Sequence, residues 1–343
     1  MFFSCSKSNY IIIILWILIN MYIQFKNHIT KIQQASLNAF MLFVVLFSHS
    51  FCIGQQLPLH NQYVYNPSVI NPAFVGVSAV SHFNLTTRSQ WVGFSDGIKT
   101  ISFSGNHPLT ETQGVGGSIF QDNTGAISIT GLELDYSFKF PVFLDYNMSL
   151  GLGLVPYQYL YDANQVVFNN PEDATLDLSQ KSTSFDVNFG MFLYSDFLFA
   201  GVSVLNIIQS STIPSLEGGD PNQLVRHYYG LIGYNLFNNA SNMGIEQSIL
   251  MRSTVYSGLQ FDFNVKANFN EAFFLLLGYR TNQEILAGFG IQYGKFGFIY
   301  NIDINHGDIG QYANSSHELG VVFYLNNKEK VIDWGNDLNL QYK

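Results

Sequence analysis

The chain has 343 residues, is 47% hydrophobic and only 11% charged, and carries a net charge of −9. Soluble domains carry about 25% charged residues, so this composition describes a surface that does not face water. The acidic balance excludes nucleic acid, which needs a basic footprint, and a polybasic contact with anionic lipid. Aromatics reach 16%, with 31 Phe, 20 Tyr and 29 Gly, a mixture that suits β-structure. A soluble β-sandwich or propeller is the alternative at this length.

Residues 1–54 hold two apolar runs, Ile11–Ile19 and Phe40–Phe47. Both are shorter than the roughly 20 residues that span a bilayer. Lys26 and Lys31, the second run, and Cys52 and Gly54 at the −3 and −1 positions read as a signal peptide cleaved after Gly54. The first twenty residues look like an upstream over-extension, with translation starting at Met21. Phe51 is bulky where a lipobox needs a small residue, which disfavours a lipoprotein at Cys52. Cys5 and Cys52 both leave with this segment, so the mature chain has no disulfide and no thiolate metal site. Three lysines leave as well, which takes the net charge to −12.

The mature chain opens on Gln62-Tyr63-Val64-Tyr65-Asn66-Pro67, then Ile70-Asn71-Pro72-Ala73-Phe74-Val75-Gly76, then Arg88-Ser89-Gln90-Trp91-Val92-Gly93-Phe94. Asn before Pro is pushed out of the helical region, and Pro cannot donate to a ladder, so both Asn-Pro steps predict turns or kinks. Ala73 and Gly76 are small enough for another backbone or a ring to approach closely. This assembly resembles the PorP/SprF family, outer-membrane proteins of the type IX secretion and gliding machinery of Bacteroidetes. The motif covers about a tenth of the chain. Trp91 reads either as an interface aromatic at a membrane rim or, with Arg88 and Gln90, as a protein-binding surface. The resemblance favours the second reading and extends it to Asn66, Pro67, Asn71, Pro72, Ala73 and Gly76.

From there on period-2 alternation dominates. Leu259, Phe261, Phe263, Val265, Ala267 and Phe269 share one face, and Gln260, Asp262, Asn264, Lys266 and Asn268 the other. Candidate strands fall near 80–88, 99–107, 114–121, 127–140, 147–160, 183–194, 197–205, 226–236, 244–252, 258–269, 272–280, 284–293, 295–303 and 316–325. Fourteen alternating strands of mostly 8–12 residues are the signature of an outer-membrane barrel, with an Asn-, Asp-, Ser-, Gln- and Gly-rich face lining a wet lumen. Sandwich strands are shorter, about 5–6 residues. The apolar phase is odd at Ile127 and Ile129 and even beyond Gly131, which predicts a β-bulge at the glycine. Asn270-Glu271, Asn282-Gln283 and Gly294 read as tight turns of one rim. The stretches 161–181, 209–224 and 304–315 read as long loops of the other. The acidic residues Asp162, Glu172, Asp173 and Asp177 fit a solvated loop better than a cation site.

The organisation expected is a leader at 1–54, an irregular segment at 55–79, a transmembrane β-barrel at 80–325 and a tail at 326–343. The irregular segment is expected on the periplasmic side or tucked into the lumen. The tail, with Lys328, Glu329, Lys330, Asp333, Trp334 and Asp337, reads as a frayed end more than a partner contact. No nucleophile elbow, P-loop, dinucleotide fingerprint or His-Glu-x-x-His occurs. Gly114-Val115-Gly116-Gly117 precedes no helix and is no phosphate cradle. None of the six mature histidines has a nucleophile and a carboxylate at a telling spacing, although spacing alone leaves a spatial triad open. No catalytic residue, cofactor or metal is expected. The resemblance implies a non-enzymatic outer-membrane component of type IX secretion or gliding that assists export or surface anchoring of an adhesin. It also implies a periplasmic ring, a peptidoglycan-linked protein or the adhesin cargo as partners. The alternatives from other classes are a porin or substrate-specific channel, and an outer-membrane hydrolase.

Overall fold

A computed structural model describes residues 61–94, 97–143, 145–165, 179–212, 223–238, 243–269, 272–307, 310 and 315–325. The leader at 1–54, the lead-in 55–60, Glu172, Asp173 and Asp177, and the tail 326–343 lie outside the described residues.

Fourteen strands follow in order: β1 (His82–Ser89), β2 (Lys99–Pro108), β3 (Gln113–Thr124), β4 (Ile127–Phe143), β5 (Tyr146–Tyr161), β6 (Gln180–Tyr194) and β7 (Leu198–Leu205). Then come β8 (His227–Asn238), β9 (Met243–Thr254), β10 (Gln260–Phe269), β11 (Phe273–Arg280), β12 (Glu284–Tyr293), β13 (Phe296–Asn305) and β14 (Ser315–Tyr324). Each pairs antiparallel with its chain neighbours, and β1 closes on β14 from His82↔Tyr324 to Ser89↔His317. Closure leaves no open edge, which a spanning sheet requires because lipid cannot satisfy backbone groups. Every expected strand is present, with ends within a few residues.

Alternation sets the faces. In β10, Phe263 and Val265 are 40% and 48% exposed, whereas Asp262, Asn264, Lys266 and Asn268 are buried toward the lumen. The same rule exposes Leu134, Leu152, Val202, Leu277 and Leu319 on the outer wall. Phe143, Phe197, Tyr293 and Phe296 add exposed aromatics at one rim, the level where such rings favour a membrane interface.

Two details correct the expectations. No bulge occurs at Gly131: the β3–β4 register runs unbroken from Thr124↔Ile127 past Phe120↔Gly131, and the β4–β5 shift falls between Pro141 and Phe143. Ile129 instead packs on a buried cluster of Val155, Tyr157, Tyr159 and Leu224. The lumen face itself turns apolar there, so the pattern changes without the pleat changing. The Asn282-Gln283 turn also sits on the other rim. The connections after β2, β4, β6, β8, β10 and β12 share one rim and are all short. Those after β5 and β7, at 162–179 and 206–226, share the second rim with the 281–283 turn.

Residues 61–81 run inside the barrel. Three 3-10 turns, Gln62–Val64, Pro67–Val69 and Pro72–Phe74, are almost wholly buried. Asn66 and Asn71 have φ of −138° and −156°, outside the helical region, and each hands a proline to the first position of a turn. Asn71 Oδ1 accepts the Ala73 N–H at 2.9 Å, a side-chain cap. At the short-turn end the lumen is not wet: Tyr63, Val64, Tyr65, Phe74 and Val77 form one apolar core with Phe192, Tyr194, Phe199 and Leu276. The Phe74 and Phe192 ring centroids are 3.8 Å apart. A remaining cavity of about 20 Å³ beside Val64 and Phe74 has room for about one water.

Lumen-facing glycines make the space. A Cβ on Gly151 would collide with Ala73, one on Gly190 with Asn71, and one on Gly114 with Val75 and Gly76, whose φ is +67°. Gly151→Leu is therefore expected to expel the segment while leaving the lipid-facing wall intact. Limited chymotrypsin digestion should cut at Tyr63, Tyr65 or Phe74 in that variant and not in the outward-facing control Leu152→Phe. Equal protection of the two variants would refute the tight packing.

Candidate functional site

The long-loop half of the lumen holds an arginine–carboxylate network. Arg280, fully buried at the end of β11, donates through Nε to Asp262 Oδ1 at 3.0 Å and also donates to Glu284. Arg252 of β9 reaches the same Asp262. Arg88 of β1 places Nη2 2.5 Å from Asp303 Oδ2 and Nη1 3.5 Å from Glu318 Oε2. Three guanidiniums and four carboxylates thus link β1, β9, β10, β11, β12, β13 and β14 from within. Charges this buried persist only when paired and hydrogen-bonded.

The internal segment is bonded into this network. Asn61 N–H donates to Glu318 Oε2 at 3.0 Å, and its Oδ1 accepts from Arg280 Nη2 at 3.0 Å. Tyr63 Oη donates to Asp262 Oδ2 and Tyr65 Oη to Glu318 Oε1, both at 3.1 Å. Burial, reinforced by Asp262 for Tyr63 and by Glu318 for Tyr65, pushes both phenols well above their ordinary range, so they stay protonated and donate. Further along, Thr86 Oγ1 donates to Gln62 Oε1 at 2.9 Å and Asn66 Nδ2 to Ser104 Oγ at 3.0 Å. Asn71 Nδ2 donates to the Met191 and Val202 carbonyls at 3.1 and 3.3 Å. The backbone is tethered too, through Ser203 to Ile70 O and Ser137 to Val75 O, both at 2.5 Å, and Lys139 to Gly76 O.

The structure splits the motif residues into two places. Asn66, Pro67, Asn71, Pro72, Ala73 and Gly76 face the barrel's own wall and are buried. Arg88 is the wall's ion partner, and Gln90 is buried beside it. Trp91 stands on the long-loop rim at φ +58°, a strained backbone for a bulky residue. Its N–H donates to Ser316 Oγ at 3.2 Å, and Val92 N–H donates to Ser315 O at 2.8 Å. Val92 and Phe94 beyond it are exposed. Sequence reasoning missed Arg252, Arg280, Glu284, Asp303 and Glu318. Their signal was a charge on the polar phase of a strand, which by itself does not say that it is paired.

This architecture defines a transmembrane β-barrel filled by its own N-terminal segment. Residues 53–323 match the family described as "Type IX secretion system membrane protein PorP/SprF", and the chain belongs to that family. It is a family of secretion-system membrane components and not an enzyme family, and family and fold together place the chain in the outer membrane. No curated protein matches the sequence. Among solved structures, a TodX mutant described as a monoaromatic hydrocarbon channel is 11% identical, covering 78% of this chain and 95% of that one at a TM-score of 0.47. The CymD monoaromatic hydrocarbon channel is 10% identical, covering 79% and 94% at 0.45. The ferric enterobactin receptor of Pseudomonas aeruginosa is 11% identical at 0.35, and the chain spans only 45% of that receptor's length.

Arg280→Met tests the network. The substitution strands Glu284 and half of Asp262, and breaking a buried pair by removing one partner costs about 3–5 kcal/mol. The expected outcome is a clearly lower urea midpoint, read by the heat-modifiable shift in gel mobility. Glu284→Gln in the same chain should recover part of the loss.

Proposed function

We propose that this protein is a non-enzymatic component of the type IX secretion or gliding machinery that assists export or surface anchoring of an adhesin. In this reading Gly54 ends a cleaved signal peptide, the short turns face the periplasm and the long loops face outward. The partners are a periplasmic ring, a peptidoglycan-linked protein or the adhesin itself. The observation that carries the reading is the family match over residues 53–323 on a barrel whose lumen is filled by the family's own motif. A passive porin, the second reading, fits a filled lumen poorly.

The two groups of motif residues take different parts. Trp91, with Arg88 and Gln90 holding its strand end, presents the rim to a partner, with Val92 and Phe94 beside it. Asn66, Pro67, Asn71, Pro72, Ala73 and Gly76 engage a partner only when the plug moves, and in the closed state they keep the lumen sealed.

The deciding experiment is a mild-detergent pull-down of the tagged protein from native outer membranes, alongside a variant lacking residues 55–76. Ring, peptidoglycan-linked or giant adhesin partners should accompany the intact protein. The deletion should still assemble, because Arg88, Arg252, Arg280 and Lys266 keep wall-to-wall partners without the plug. It should lose partners and gain conductance in planar bilayers. A partnerless intact protein that conducts would move the assignment to a porin. A deletion that abolishes assembly would make the segment purely structural.

A further inference from the structure

Three side chains outside the lumen form a hydrogen-bonded relay that the secretion reading does not use. Ser315 and His317 lie two residues apart on β14, so both point to the lipid-facing side, while Ser316 and Glu318 point inward and are buried. Ser315 Oγ is 2.8 Å from His317 Nε2, and His317 Nδ1 is 2.7 Å from Tyr300 Oη on β13. Tyr300 faces outward beside the His317 ring, at 6.0 Å between centroids, and packs on Phe289 on its other side at 5.8 Å. All three polar residues are half-buried. A hydroxyl on Nε2 and an orienting acceptor on Nδ1 is the arrangement of an activated serine. Tyr300 takes the place of the usual carboxylate, accepting from Nδ1–H in the tautomer that leaves Nε2 free to accept.

The surroundings suggest the substrate. Ile304 and Ile285 flank Ser315 at its own level, and Leu319 and Phe289 lie level with Tyr300, all four exposed on the apolar outer wall. Ser315 begins β14 at the long-loop rim, so the relay sits where that wall meets water. Membrane lipids carry their acyl-ester carbonyls at this depth, and water is at hand there. Trp91 N–H donates to Ser316 Oγ and Val92 N–H to Ser315 O, which holds the end of β1 against the start of β14.

We propose that Ser315, His317 and Tyr300 form a slow hydrolytic site on the barrel exterior for long-chain acyl esters of the surrounding lipid. With Nδ1–H donated to Tyr300, Nε2 accepts the Ser315 proton as Oγ bonds to the ester carbonyl carbon. The C–O bond to the alcohol breaks, and Nε2 returns the proton to the leaving oxygen. Water, deprotonated by Nε2, then attacks the acyl-serine and releases a fatty acid and the free hydroxyl. His317 is the base and Tyr300 is a positioning residue. This activity is separate from the secretion role, in which the chain itself performs no catalysis.

The test incubates the purified, folded barrel with a fluorophosphonate probe and maps the labelled peptide, with heat-modifiable mobility as the fold control for each variant. Label is expected on Ser315, absent in Ser315→Ala, retained in the inward neighbour's variant Ser316→Ala, and slowed at least about 100-fold in His317→Gln. Tyr300→Phe should slow labelling and alter its pH–rate profile, which a merely structural ring would not do. Fatty acid release is then followed from micelles of a diacyl phosphatidylethanolamine and, separately, of lipid A. Whichever is cleaved in a Ser315-dependent way identifies the lipid. Equal labelling of wild type and Ser315→Ala, or labelling without release from either lipid, overturns the proposal.

Discussion

Arg280 has no exposed surface, yet four acceptor oxygens, from Asp262, Glu284 and Asn61, surround its guanidinium. Much of the barrel follows from that requirement. A charge inside a membrane protein must be paired, and here the pairing is shared between wall strands and a segment that is not a strand. The wall supplies the carboxylates and the segment supplies an amide and two phenols. The plug is therefore an extra layer of the wall's own hydrogen bonding and not a loose filler.

The two ends of the lumen are held by different physics. At the long-loop end, ion pairs and charge-assisted hydrogen bonds give directional contacts. At the short-turn end, rings pack on rings, and glycines in β3, β5 and β6 let the plug backbone approach the strands. The first kind of contact fixes register, and the second supplies area. A segment with no regular helix or strand can be held rigidly because each of its three turns meets one of these two surfaces.

Much of this was legible in the sequence. The fourteen strands could be read because lipid outside and polar groups inside impose the strictest alternation a strand can carry. The turns at Asn66-Pro67 and Asn71-Pro72 could be read because proline chemistry is local. The place of those turns in the lumen was only one of two expectations, since local rules say how a chain bends and not what it bends against. Ile129 misled because its neighbours Tyr157, Tyr159 and Leu224 come from distant segments and turn a stretch of lumen wall apolar. The pairing of Arg88 with Asp303 and Glu318 spans more than 200 residues and leaves no trace in spacing. Ser315, His317 and Tyr300 were invisible for the same reason, because two strands had to be laid in register before the relay existed.

The seam between β1 and β14 joins the two ends of the barrel sequence. Residue 82 begins β1, while Asn61 and Tyr65 are bonded to Glu318 on β14, contacts 257 and 253 residues apart. The plug therefore straddles the seam from inside, attached to one strand by the chain and to the other by hydrogen bonds. Ring closure and plug seating share these contacts, so neither is complete until the last strand has been made. Contacts of such long sequence separation are slow to form. The barrel's N-terminal segment must wait unsealed through most of assembly, and it then clasps the seam from inside once the final strand has closed.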